Sequence, residues 1–98
     1  MIIGSPENAI KLLNDGGIIG YPTEAVFGLG CDPWNEKSVN RISNIKNRKK
    51  NKTFLLVGSN IDQLASLIDV DTISKEARSS WPGHVTWLMP ARNDAPSW

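Results

Sequence analysis

The chain has 98 residues, of which 40% are hydrophobic and 21% charged, with eight glycines and a formal net charge of +1. That length makes one domain's worth of chain, able to bury about 60 to 68% of its unfolded surface, and the composition excludes a disordered chain. A single cysteine, Cys31, excludes an internal disulfide, and Cys31 and His84 are the only residues of their types, too few for a structural zinc site. The longest apolar runs, such as Phe54–Val57, fall far short of a membrane helix, and no secretory leader pattern opens the chain. A reducing cytoplasm and no membrane partner are the expectation.

The charge is localised. Arg41, Lys46, Arg48, Lys49, Lys50 and Lys52 fall in a twelve-residue window without an acid, so this window carries +6 and the remainder −5. Such an asymmetry concentrates positive potential where a polyanion, nucleotide or RNA, is attracted; a solvated lysine loop accounts for it equally well.

In chain order, Ser5-Pro6-Glu7 predicts a helix start, with a hydroxyl cap, proline at the first helical position and a carboxylate at the positive dipole end. Ala9, Ile10, Leu12 and Leu13 form its apolar stripe, and Gly16-Gly17 ends it. Gly17–Tyr21 predicts a strand buried on both faces, with Pro22 stopping its ladder. Residues 22–32 predict a loop in which Gly28 and Gly30 take backbone angles closed to other residues. Asn35 caps a second helix with Val39, Ile42 and Ile45 on one side and Lys46 and Arg48 at its exit. Phe54–Val57 predicts a second buried strand, and Asn60 a helix presenting Ile61, Leu64, Ala65 and Ile68. An amphipathic stretch from Asp71 to Ser80 leads through a Trp81-Pro82-Gly83 turn to a third strand, Val85–Met89. Helices alternating with strands give an α/β architecture with helices packed on a sheet.

Three separated signatures are more specific. Tyr21-Pro22-Thr23-Glu24-Ala25-Val26-Phe27-Gly28-Leu29-Gly30, then Lys46-Asn47-Arg48, then Trp81-Pro82-Gly83-His84-Val85-Thr86 resembles the threonylcarbamoyl-AMP synthase family of tRNA t6A modification, in its short bacterial branch. The resemblance implies a YrdC-like twisted mixed sheet flanked by helices. It also implies a reaction in which L-threonine, bicarbonate and ATP, with Mg²⁺ accompanying the nucleotide, give threonylcarbamoyl-adenylate and diphosphate. Downstream t6A transfer machinery and tRNA are the implied partners.

By the same resemblance Lys46 and Arg48 are the catalytic cations, and Thr23 lines the threonine pocket. Lys50 and Lys52 join Thr23, Lys46 and Arg48 in the substrate-binding set, although Lys49 and Lys50 read as solvated or RNA-facing rather than catalytic. Lys49 stands where the family has a proline, which frees the loop backbone beside Arg48. Glu24 has a structural role, as do His84 and the Trp81-Pro82-Gly83 turn, while Thr86 opens the third strand and stays ambiguous; Cys31 reads as a small buried residue. Family members are roughly twice as long and carry a Ser-x-Asn element in their second half. Residues 1–98 therefore correspond to the N-terminal part of a single YrdC-like domain, incomplete and inactive or only partly active. Two other readings stand beside this one: an RNA- or tRNA-binding module without catalysis, and the carbamoyl-adenylating domain of hydrogenase-maturation proteins.

Overall fold

Ser5 opens the first helix as the sequence requires: its Oγ accepts from the Asn8 amide at 3.3 Å, and Pro6 occupies the first helical position. The computed structural model describes residues 4–23, 26–47 and 54–98. Helix α1 spans Pro6–Asn14 and ends through amides that turn back, Gly16 N to the Leu13 carbonyl at 3.1 Å and Gly17 N to that of Leu12 at 2.7 Å. Gly16 holds φ +84°, the left-handed conformation a side chain would strain.

A hairpin follows, β1 (Ile19–Pro22) against β2 (Phe27–Gly30), antiparallel with Ile19 opposite Gly30 and Pro22 opposite Phe27. Two expectations change here. β1 begins later than residue 17 and is half-buried and exposed in alternation rather than buried on both faces, because its only partner among the described residues is β2. Residues 27–30, expected within a loop, form that partner; Pro22 is tolerated at the strand end, where its missing N–H costs nothing in the ladder.

Helix α2 spans Glu36–Ile45 and is capped by Asn35, whose Oδ1 accepts from the Ser38 amide at 3.1 Å. Val39 and Ile42 are buried as expected, whereas Ile45 at the last turn is 61% exposed. Ser38 is buried as well, and its hydroxyl donates to the Gly16 carbonyl at 2.7 Å, fastening α2 to the turn that ends α1.

The chain separates into two compact units, Met1–Thr53 with Trp98, and Phe54–Ser97. In the second, Asn60 caps only one 3₁₀ turn, Ile61–Leu64, instead of a helix reaching Ile68. The Ile68 amide still donates back to the Leu64 carbonyl at 3.0 Å, but the chain leaves the turn there: Ile68 bridges Ala91, and the Asp69 amide donates to the Pro90 carbonyl at 3.1 Å instead of to Ala65. The amphipathic stretch from Asp71 to Ser80 resolves into the end of a 3₁₀ turn, Val70–Thr72, and a short helix α3, Lys75–Ser80. Asp69 Oδ1 takes the Asp71 amide at 3.2 Å and Ser74 Oγ takes that of Ala77 at 3.1 Å, so each piece starts from its own side-chain cap. Leu67, Ile68, Ile73 and Ala77 make the core, with Ile61, Leu64, Val70, Trp81, Met89 and Ala95 packed on it.

The expected strands at 54–57 and 85–89 are not strands: neither segment joins a ladder among the described residues. A strand exists only through its partner's hydrogen bonds, and apolar composition alone does not supply one. The α/β class holds, with an incomplete sheet whose described part is one antiparallel pair.

Candidate functional site

The first signature is the β1–β2 hairpin, and its residue types follow from one packing event. Tyr21 stands opposite Gly28, and its ring lies over both glycines: a Cβ on Gly30 would come within 2.9 Å of Tyr21 Cε1, and one on Gly28 within 3.1 Å of Cζ. The glycines therefore serve close approach of an aromatic ring rather than unusual backbone angles, since neither has positive φ. At the hairpin mouth the Val26 amide donates to Thr23 Oγ1 at 3.1 Å, and the hydroxyl donates in return to the Val26 carbonyl. Thr23 is exposed, so its hydroxyl sits at the surface while holding the turn. Glu24, assigned a structural role, lies outside the described residues.

The second signature sits at the end of α2. Lys46 is the exposed C-terminal cap, its amide donating to the Ile42 carbonyl at 2.9 Å, where its charge meets the negative helix end. Asn47 follows with φ 51°, a left-handed position that terminates the helix and for which asparagine is among the best-suited non-glycine residues. The middle residue of Lys46-Asn47-Arg48 thus turns the chain between its two cations. Arg48, Lys49, Lys50 and Lys52 lie outside the described residues, so of the expected substrate-binding set Thr23 and Lys46 are described, both in the first unit.

The third signature belongs to the second unit. Trp81 packs on the core, and its indole N–H donates to the Val85 carbonyl at 3.0 Å, closing the turn. Gly83 is required there, because a Cβ would sit 2.6 Å from the Ser80 carbonyl oxygen. Trp87 donates to Ser80 Oγ at 2.8 Å, while His84 and Thr86 are exposed. Cys31 is half-buried rather than buried; burial first, and Asp32 second, push its thiol up, away from the thiolate a nucleophile needs.

Sequence reasoning missed three features. The ring-on-glycine contact had a signal, an aromatic residue facing a Gly-x-Gly across a tight hairpin, and so did Asn47, as a left-handed residue between two cations. The third is a fork in the second unit: Arg92 Nε to Asp94 Oδ1 at 3.0 Å and Nη2 to Oδ2 at 3.3 Å, with Nη1 reaching the Ala65 carbonyl at 3.5 Å. Hydrogen bonding to Arg92 holds Asp94 below the ordinary carboxylate value and raises Arg92 in turn. Among the described residues no three His, Cys, Asp or Glu side chains gather to hold a metal, and no helix is long and apolar enough to cross a membrane.

A family model named Sua5/YciO/YrdC, with the description "Telomere recombination", matches residues 11–98. The chain belongs to that family. It is 46% identical over 94 residues to a threonylcarbamoyl-AMP synthase of Xylella fastidiosa (strain M12), covering 92% of this chain and 50% of that protein. It is 43% identical over 98 residues to the synthase of Wigglesworthia glossinidia brevipalpis, with 93% and 50% covered, and 49% identical over 87 residues to that of Pseudoalteromonas atlantica, with 85% and 46% covered. The chain spans about half the length of these curated relatives.

Proposed function

We propose that this chain supplies part of a threonylcarbamoyl-AMP synthase, acting in tRNA t6A modification in the cytoplasm. The observation that carries the reading is the family match over residues 11–98 together with 43 to 49% identity to proteins bearing that name. The reaction joins the threonine amine to bicarbonate carbon as a carbamate with loss of water; a carbamate oxygen then bonds to the α-phosphorus of ATP as the bond to diphosphate breaks. The reactants are anionic at the reacting ends, so the protein's task is to hold cations and donors where they converge.

Lys46 at the end of α2 is the movable point charge in this reading, and Arg48 the planar fork that grips two phosphate or carboxylate oxygens. Thr23 presents a hydroxyl to threonine from the hairpin mouth, and Lys50 and Lys52 add positive potential for the triphosphate. In this reading Mg²⁺ accompanies the nucleotide, and no step is assigned to it. Full turnover is expected to need the remainder of the relatives' length as well.

Calorimetry on the chain, with ATP first and threonine second, tests the roles. Loss of one charged hydrogen-bonding partner costs about 1.5 to 3 kcal/mol, so Lys46→Ala and Arg48→Ala should each weaken ATP binding by about 10- to 100-fold with unchanged circular dichroism. No ATP binding by the parent chain, or parent-like affinity in both variants, overturns the assignment.

The acid-free window from Arg41 to Lys52 favours a second reading, an RNA surface that holds tRNA by its phosphates before the downstream transfer step. Its mark is RNA affinity that falls steeply with salt and is indifferent to threonine.

A further inference from the structure

Ser38 is the one buried polar side chain among the described residues, and its hydroxyl does not serve its own helix. It stands at the third helical position of α2, where a longer side chain can reach back to the capping amide. Here the Asn35 amide is taken by the Asp32 carbonyl at 3.1 Å, and the Ser38 hydroxyl crosses to the Gly16 carbonyl at 2.7 Å instead. Asn35 closes on the same glycine: a Cβ on Gly16 would lie 2.9 Å from Asn35 Nδ2 and 3.5 Å from Ser38 Oγ. Gly16, with its positive φ, is the seat on which the head of α2 rests.

This joint lies between the two described residues of the candidate site. Beyond Gly16 the chain runs through β1 to Thr23, and from Ser38 it runs along α2 to Lys46, so each site residue ends a stretch that starts here. β1 is steadied by β2 and by α1, whereas no strand or other helix packs broadly on α2 among the described residues. The helical rise puts the Lys46 backbone about 12 Å from Ser38, so a swing of about 10° at the head of α2 would carry it about 2 Å. Misplacement of about 1 Å already costs a positioned group up to about 100-fold. We propose that Ser38 is a positioning residue of the adenylate-forming site: by holding the head of α2 to the Gly16 carbonyl, it sets the separation of Lys46 from Thr23. The proposal rests on the synthase reading, which gives Thr23 to threonine and Lys46 to the nucleotide. What the bond controls is how the two ends act together, and not either contact alone.

Calorimetry on the full chain measures ATP alone, threonine alone, and threonine with ATP at saturation. Ser38→Ala should leave each single affinity unchanged while threonine binding in the presence of ATP weakens by about 10-fold. Ser38→Cys, of similar volume and weaker as a donor, should fall between the parent and Ser38→Ala. Val39→Ala is the control for lost stability: it removes buried volume from the same helix, so it should lower the urea midpoint and leave all three affinities as in the parent. Residual dipolar couplings of the backbone amides read the joint without ligand. Those of the hairpin and α2 should fit one alignment tensor in the parent and require two in Ser38→Ala. Couplings of Ser38→Ala that keep the parent's single tensor overturn the proposal, as does a loss of threonine binding that Val39→Ala shares. If the parent binds no ATP, the synthase reading fails first and takes this role with it, even where the couplings show the joint.

Discussion

The two units divide labour unequally. In the first, chemistry-bearing residues are abundant and buried apolar side chains scarce: Val39 and Ile42 are its buried hydrophobics among the described residues, and α1 buries none. In the second, four buried residues and six partners form a connected cluster, yet its polar side chains mostly cap turns or pair with each other. The first unit is shaped by close approaches and caps, as with Tyr21 on its glycines and Asn47 at the helix end. The second, whose side chains serve a core, is shaped by volume.

That contrast can be broken most forcefully in the second unit. Ile68 is buried and bridged to Ala91, so Ile68→Ala should cost about 2 to 4 kcal/mol in urea unfolding. A smaller loss there would mean that the cluster does not carry the unit. Next comes the hairpin: Gly30→Ala pushes a methyl to 2.9 Å from Tyr21, and displacing the ring should cost about 1 to 3 kcal/mol. Adding Tyr21→Ser should recover most of that loss, because the clash is removed; additive effects would refute the contact. Asn47→Val, which forces a β-branched residue to φ 51°, should cost about 1 to 2 kcal/mol, while Asn47→Gly should be neutral or better.

The smallest expected effect is electrostatic. Asp94 is held below its ordinary carboxylate value, chiefly by the hydrogen bond from Arg92, so its folded form binds the proton less readily than its unfolded form. Its contribution is present above the unfolded value and fades as the pH drops through the folded one. Arg92→Ala should raise the Asp94 titration midpoint toward 3.8 in a carboxyl NMR titration. Both groups are exposed, so the change in overall stability should be near the limit of measurement.

Much of the local structure was readable because it depends on neighbours in sequence. The caps at Ser5 and Asn35 are one-turn hydrogen bonds that need no distant partner, and both helices start where those residues put them. The left-handed exit at Gly16 follows for the same reason. The candidate site was readable as residue types and spacing, in the order of its three signatures, but not as geometry. Nothing in the spacing said that the Thr23 hydroxyl would be tied to Val26, or that Gly28 and Gly30 make room for a ring.

Residues 54–57 and 85–89 mark the boundary between the two kinds of information. Their apolar, β-branched and aromatic content expresses a preference for strand, which is local; pairing is an exchange of hydrogen bonds with another segment, which is not. Likewise Ile68 could have continued a helix on composition alone, until the bridge to Ala91 and the Asp69–Pro90 hydrogen bond claimed that stretch of backbone. Sequence alone determined where α1 and α2 begin, which residue types gather in each signature, and the family to which they belong. Tertiary structure decided which apolar runs become strands and which glycines yield to a ring, because those outcomes depend on which distant atoms arrive within about 3 to 4 Å.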